Sequence, residues 1–204
     1  MSVKPTVPQT ITLASARFAL RDLEPSDVSQ RMCAWLADPV KARMINSSPG
    51  AVTVDHLRAY IASHDRITGH VLGIFDKATG ALLGFWAVYI DWDLGEFQLS
   101  VLIGERSPKA VNARAETQRE LLKYMFDTLG LETLRCSVLT RNEAIGDRIF
   151  GVAGVSPEHT SYNPSATDEA FVEIRHYRIS KDQWRHLRAR VAGDLAPFEK
   201  QLGI

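Results

Sequence analysis

Residues 95–140 read GEFQLSVLIGERSPKAVNARAETQRELLKYMFDTLGLETLRCSVLT. The first part alternates. Phe97, Leu99, Val101 and Ile103 point one way, and Glu96, Gln98, Ser100 and Leu102 the other, which is the period of a strand. The period then lengthens. Leu121, Leu122, Met125, Phe126 and Leu129 make one helical stripe, expected near 113–129, and Gly130 is a good stop. LETLRCSVLT is a strand again. A strand, a helix and a strand form a crossover unit, and its first strand-to-helix junction is the favoured ligand site in such sheets. Junctions of this kind often cradle a phosphate with glycines, yet residues 107–126 contain none.

Working outward, ARFALRDL alternates as a first strand. EPSDVSQRMCAWLADP starts a helix with Ser26 as the expected N-cap and Val28, Met32, Trp35 and Leu36 on one face, and Pro39 closes it. VKARMIN is a short second piece before the breaker NSSPG. TVDHLRAYIASH is a further helix capped by Thr53. HVLGIF and ALLGFWAVYI flank the short connection DKATG as a hairpin, and the second run is apolar on both parities, as a strand buried on both faces should be. NEAIGDRIFGVAG reads as a short helix and EAFVEIRHYRIS as a last strand. A helical tail follows from about residue 181. The first ten residues form a loose arm, and no repeat, low-complexity segment or linker divides the chain. The expectation is one domain over 1–204 of class α/β (α+β), with a mixed, mostly antiparallel sheet of six or seven strands and helices on both faces.

Composition narrows the function. The 204 residues are 45% hydrophobic and 24% charged, enough for a full core, and the net charge of +0 speaks against nucleic-acid binding by bulk electrostatics. Cys33 and Cys136 sit in apolar patterns without metal spacing, so they read as core residues in a reducing compartment. No apolar run is long enough to span a membrane, and MSVKPTVPQT lacks a signal-peptide core. A cytoplasmic protein without membrane or nucleic-acid partners is expected, with a homodimer allowed for. The histidines show no paired ligand spacing, so no metal is expected.

Several local words recur in a known order. FALRDLEPSDVSQRMCAWLADPVKARMIN combines a strand, a Pro-x-Asp helix start and an Asp-Pro before Val-x-x-Arg. FDKATGALLGF is a hairpin, RELLKYMFDTLGLETLRCSVLTRNEAI a long helix, an LGL stop, a strand and an Arg-Asn, and HYRISKDQW a closing strand and tail. In this order the chain resembles the GNAT acyltransferase superfamily, and within it the Rim-type branch that acetylates protein N-termini and other primary amines. The resemblance spans roughly residues 14–185. It implies a GNAT-like fold in which the fourth and fifth strands splay apart around the acyl arm of acetyl-CoA. It also implies that the pyrophosphate rests on backbone N–H groups of the loop entering the long helix. Independently, a helix start offers unpaired N–H donors and about half a positive charge, which suits a phosphate.

Two departures stand out. The family loop reads Gln or Arg, two residues, Gly, one residue, then Gly or Ala, whereas the stretch here is KAVNARAE. One register puts Asn112 and Arg114 at the small positions, and a slip by one puts Ala113 and Ala115 there. Ala110, Val111, Asn112, Ala113, Arg114 and Ala115 are thus the expected pyrophosphate residues, with Arg106 and Lys109 as further cations. Downstream, Asn142 matches the family's Asn and joins the cofactor set. However, Ile145 replaces a small residue, the run to Gly154 is one residue longer, and Val155 replaces an aromatic. Many relatives use a Tyr on this helix to protonate the departing thiolate. Its nearest counterpart, Phe150, has no proton to give, so the acid lies elsewhere or is solvent.

Transfer to an amine needs a neutral nitrogen, and a free alkyl ammonium has a pKa of about 10. The oxyanion needs N–H donors, which a splayed strand presents around Val101, Leu102 and Ile103. Gln98 occupies the family's carboxylate position. Glu96, about 7 Å back along the same face, is the candidate base, and Ser100 the candidate partner for a thiolate or water. A solvated strand-start Glu and an ordinary strand Ser are the plainer readings. Trp35, Arg43, Asp91 and Trp92 are candidates for the acceptor side, against plainer readings as core, solvated face or turn. Glu116 reads as a helix-start carboxylate. The expected activity is direct acetyl transfer from acetyl-CoA to a small-molecule or peptide amine. The alternative is a degenerate member that binds CoA or another ligand without catalysis.

Overall fold

The computed structural model describes residues 3–48, 52–104, 107–142, 155–167 and 171–191, the last five as backbone only. The expected helix over NEAIGDRIFGVAG, with Ile145, Phe150 and Gly154, lies outside the described residues after Asn142, as does Arg106. Strands β1 (Thr12–Ala14) and β2 (Phe18–Asp22) lead into three short helices, α1 (Gln30–Ala37), α2 (Pro39–Met44) and α3 (Val54–Ala62). The hairpin β3 (Gly69–Asp76) and β4 (Leu82–Asp91) follows, then β5 (Glu96–Ile103), α4 (Pro108–Lys123) and β6 (Thr133–Leu139). Strands β7 (His159–Pro164) and β8 (Phe171–Ser180) and helix α5 (Lys181–Val191) complete the described elements.

The strands form one eight-stranded sheet in the order β1-β2-β3-β4-β5-β6-β8-β7. Every neighbouring pair is antiparallel except β5–β6. The class is as expected, with two strands more than the periodicity marks. β1 has only three residues, and β7 is exposed along nearly its whole length, so neither carries an apolar alternation.

Each face of the sheet has its own core. Phe18, Leu20, Leu72, Ile74, Trp86, Val88 and Phe97 meet Ala113, Leu121 and Met125 of the α4 segment. On the other face Val71, Phe85 and Leu102 meet Met32 and Trp35 of α1 and Leu57 and Ile61 of α3. β4 is apolar on both parities because both its faces are covered.

Local chemistry sets the helix ends. Ser29, not Ser26, caps α1, accepting from Met32 N–H. The reason is Asp27, whose carboxylate accepts from Glu24 N–H and pairs with Arg21, closing residues 25–27 into a separate 3-10 turn. Asp38 caps α2 through Val40 and Lys41 N–H. Helix α4 starts at Pro108, ahead of the expected 113, because Ser107 accepts from Ala110 N–H and proline suits the first helical turn. It ends in a π-helical turn over Tyr124–Thr128, and Gly130 at φ 71° stops it. Among the described residues no helix is long and apolar enough to cross a membrane.

Candidate functional site

The parallel pair β5–β6 is short. Its ladder holds only Glu96↔Thr133, Phe97↔Leu134 and Gln98↔Arg135. On its other side β5 pairs with β4 as far as Ile103, and β6 pairs with β8 as far as Leu139. Beyond Gln98 and Arg135 the two strands therefore carry no mutual hydrogen bonds, and a wedge opens between them. Alternate residues of β5 from Leu99 to Ile103 turn backbone N–H groups toward this gap. Leu102 is buried, and Val101 and Ile103 are half-buried on the α4 side.

The closed end of the wedge is occupied. Glu96 is 4% exposed, so it is not the solvated strand start that its position suggests. Its carboxylate accepts from Arg135 at 3.4 Å and pairs with Arg178. The candidate base is thus clamped between two guanidiniums across three strands. Ser100 is exposed on the same face, two residues into the gap.

The start of α4 differs from a phosphate loop. Ala110, Val111, Asn112, Ala113, Arg114 and Ala115 all lie within the helix. Pro108 has no N–H, Ala110 N–H donates to Ser107 Oγ, and Val111 N–H donates to Ser107 O. This first turn meets much of its own demand for partners, so its N–H groups call for an anion less than an uncapped helix start would. Asn112, which one register puts at a small position of the family loop, is not among the described residues at positive φ and so makes no glycine-like turn. Ala110 and Ala113 are fully buried beneath the helix. They are small because the sheet is close.

Side chains flanking the buried stripe split into two sets. Lys109 pairs with the buried Asp76 at the β3–β4 turn, and Glu116 accepts from Ser15 at 2.9 Å and from Arg17 Nε at 2.7 Å. Burial alone would raise the Glu116 carboxyl, but the Arg17 and Ser15 hydrogen bonds prevail and hold it below its usual range. Arg17, Asp76, Lys109 and Asn112 line a cleft of about 540 Å³ beside the β1–β2 turn. Arg114 lies roughly 160° from Glu116 around the helix, at about 100° per residue, on the flank opposite the β1–β2 turn. Its Nε is buried with no hydrogen-bond partner, and burial pushes the guanidinium pKa down. Lys109 is thus engaged with Asp76, whereas Arg114 keeps one buried donor without a partner.

The acceptor candidates scatter. Trp35 is core, its indole packed on Gly104 so closely that a Cβ there would fall 2.1 Å from Cε2. Arg43 is exposed on α2, and its carbonyl accepts from Arg141 at 3.1 Å. Asp91 pairs in register with Glu96 and accepts from Leu94 N–H. Trp92 packs into the α4-side core, opposite to the face of Glu96, and donates to Ile67 O at 2.7 Å. Asn142 donates to Met44 O at 2.8 Å, tying the end of β6 to α2, while its Oδ1 is buried without a partner.

A further group was not singled out in the sequence. On the Glu96 face, Ser137 Oγ lies 3.0 Å from His176 Nδ1, and Ser161 Oγ lies 2.8 Å from His176 Nε2. His159 stacks on the same ring at 4.3 Å. The alternation of EIRHYRIS puts His176 and Arg178 on one face, which was the available signal. The pairing with β7 was not readable. Neither cysteine suits a nucleophile, since Cys33 is buried and burial pushes the Cys136 thiol up to about 12.

Comparison with known proteins follows this geometry. The family model described as an acetyltransferase (GNAT) domain matches residues 17–147. A GCN5-related N-acetyltransferase from Brucella melitensis superposes with a TM-score of 0.73 at 17% identity, covering 98% of this chain and 91% of that one. A spermidine N-acetyltransferase from Vibrio cholerae, solved with CoA and spermine, gives 0.68 at 16% identity over 83% and 99% of the two chains. An acetyltransferase (GNAT family) from Bacillus anthracis gives 0.67 at 14% identity over 84% and 99%. Among curated proteins none matches the sequence. At these identities the structures testify to the fold, and the family model, matching well over half of the residues, makes this chain a member of the GNAT acetyltransferase family.

Proposed function

We propose that the protein transfers an acetyl group from acetyl-CoA directly to a primary amine. The observation that carries this reading is Arg114 near the start of α4, a half-buried side chain whose Nε is buried without a hydrogen-bond partner. A buried donor without a partner is costly, and a pyrophosphate entering beside the start of α4 would supply one. The residues present therefore fit CoA, through Arg114 and the α4 dipole in place of a glycine loop. When bound, acetyl-CoA supplies an acyl group activated as a thioester. The chain supplies the β5 N–H groups facing the gap, which stabilise negative charge on an acyl oxygen. Glu96 is assigned to holding Arg135 and Arg178 in place, and so to fixing where the wedge closes. Cys33 is buried and burial raises the Cys136 thiol, which disfavours an acyl-cysteine route and is in keeping with direct transfer.

The Rim-type likeness favours a peptide N-terminus or another small primary amine as acceptor, in the cytoplasm. A second reading, CoA binding without catalysis, is favoured by the self-capped start of α4. Thioester turnover over a panel of peptides, amino sugars and polyamines separates the two. Calorimetry with CoA and with pantetheine tests the cofactor. CoA should bind at least about tenfold more tightly, since a charge-assisted contact is worth about 1.5–3 kcal/mol. Equal affinities would remove CoA recognition from Arg114.

A further inference from the structure

This inference rests on the acyl-transfer reading above and concerns how the amine loses its proton. Ser100 and Ser137 are the first same-face residues after the last ladder pair, Gln98↔Arg135, one on each wall of the wedge. Both are exposed. An amine entering the gap from the Glu96 face passes between two hydroxyls, and the one on β6 leads to an imidazole. His176 is held at both nitrogens by Ser137 and Ser161, and over one face by His159, whose ring plane lies 9° from its own. Such a ring is fixed in orientation. The charged and titratable groups around it are Arg135 on β6, His159 on β7, Arg178 on β8 and Glu96 on β5, the last already paired with both arginines.

We propose that Ser137 and His176 carry the amine's proton out of the wedge, with Ser137 Oγ touching the amine nitrogen and His176 Nδ1 accepting from Ser137. A protonated amine has two protons to lose. The first goes to bulk water before attack. As the nitrogen lone pair forms the N–C bond, the C–S bond breaks with its electron pair on sulfur. The second N–H bond breaks with its pair on nitrogen. Its proton passes to Ser137 Oγ, while the proton of Ser137 passes to His176 Nδ1. The imidazolium then releases one proton to solvent beside the exposed His159. Burial first, then His159 and Arg135, lower the His176 pKa from its ordinary value, which favours the neutral ring the relay needs.

The test has two arms. His176→Gln and Ser137→Ala are each assayed for kcat across pH with the best amine of the panel, alongside CoA titration. The expected result is a fall in kcat of about 10²-fold, loss of the acid limb of the pH profile, and unchanged CoA affinity. Nitrogen NMR of the wild-type protein should show His176 with Nδ1 bare and Nε2 protonated, a readout independent of whether either variant folds. A protonated Nδ1, variant rates within about threefold of wild type, or an acetyl adduct on Ser137 after quenching each overturns the relay. Turnover by wild type with unaffected variants sinks the relay alone, whereas CoA binding without turnover on any amine sinks the transfer reading with it.

Discussion

Replacing Arg114 by Met should make the free protein more stable and its hold on CoA weaker. Arg114 Nε is buried without a partner, and burial is the sole influence moving its pKa. An unsatisfied buried donor costs about 1–3 kcal/mol. Met keeps an unbranched apolar stem along the same path and removes the donor. For a chain of this size each kcal/mol shifts Tm by about 2–4 °C, so the variant should melt about 2–12 °C higher. A guanidinium contact to a phosphate is worth about 1.5–3 kcal/mol, so the Kd for CoA should rise by about 10–150-fold. Pantetheine, which has no pyrophosphate, should bind both proteins alike. Thermal unfolding and calorimetry on one preparation read both effects. A lower Tm with unchanged CoA affinity would falsify the argument, because it would make the Arg114 stem a packing element and its head a solvated group.

Glu96→Gln leaves two half-exposed guanidiniums around a neutral amide. Tm should drop by an amount corresponding to about 1–3 kcal/mol, with turnover per folded molecule nearly unchanged. A turnover loss of about 10²-fold at unchanged Tm would instead make Glu96 the base. Gly104→Ala places a methyl within 2.5 Å of three Trp35 indole atoms, so overpacking should cost about 1–3 kcal/mol and alter tryptophan fluorescence. An unchanged spectrum and Tm would mean that α1 shifts freely. Lys109, then Thr79, hold the Asp76 carboxyl down at about 2. A depressed folded pKa contributes stability above the unfolded carboxylate range, which is lost as pH falls from about 4 toward 2. Asp76→Asn should therefore flatten the acid side of the Tm–pH curve, and an unaltered slope counts against the Lys109 pair.

Periodicity by itself determined the sheet's interior and the crossover. The alternation of residues 96–103, the stripe from Leu121 to Phe126 and the two-sided apolar run of β4 each match what folds, because burial repeats with the local backbone period. Edge strands β1 and β7 were not legible, since a strand exposed along its length has no apolar period to show. The start of α4 was misplaced because a glycine-loop comparison outweighed the local signal of Ser107 followed by Pro108.

The site was legible only as a place. The strand-to-helix junction and its splayed neighbour followed from order and resemblance, but the partners of each side chain did not. Glu96 reads alike whether solvated or clamped by Arg135 and Arg178, which stand 39 and 82 positions away in the chain. Arg114 and Asn112 are two residues apart, yet helix rotation sends them to different flanks, with Asn112 toward the β1–β2 turn. His176 gains its meaning from β6 and β7, which bring Ser137, Ser161 and His159 around a single ring. Local periods are written into neighbouring residues, whereas the charge and hydrogen-bond partners of a site come from strands distant in sequence, and only the tertiary fold decides which of them meet.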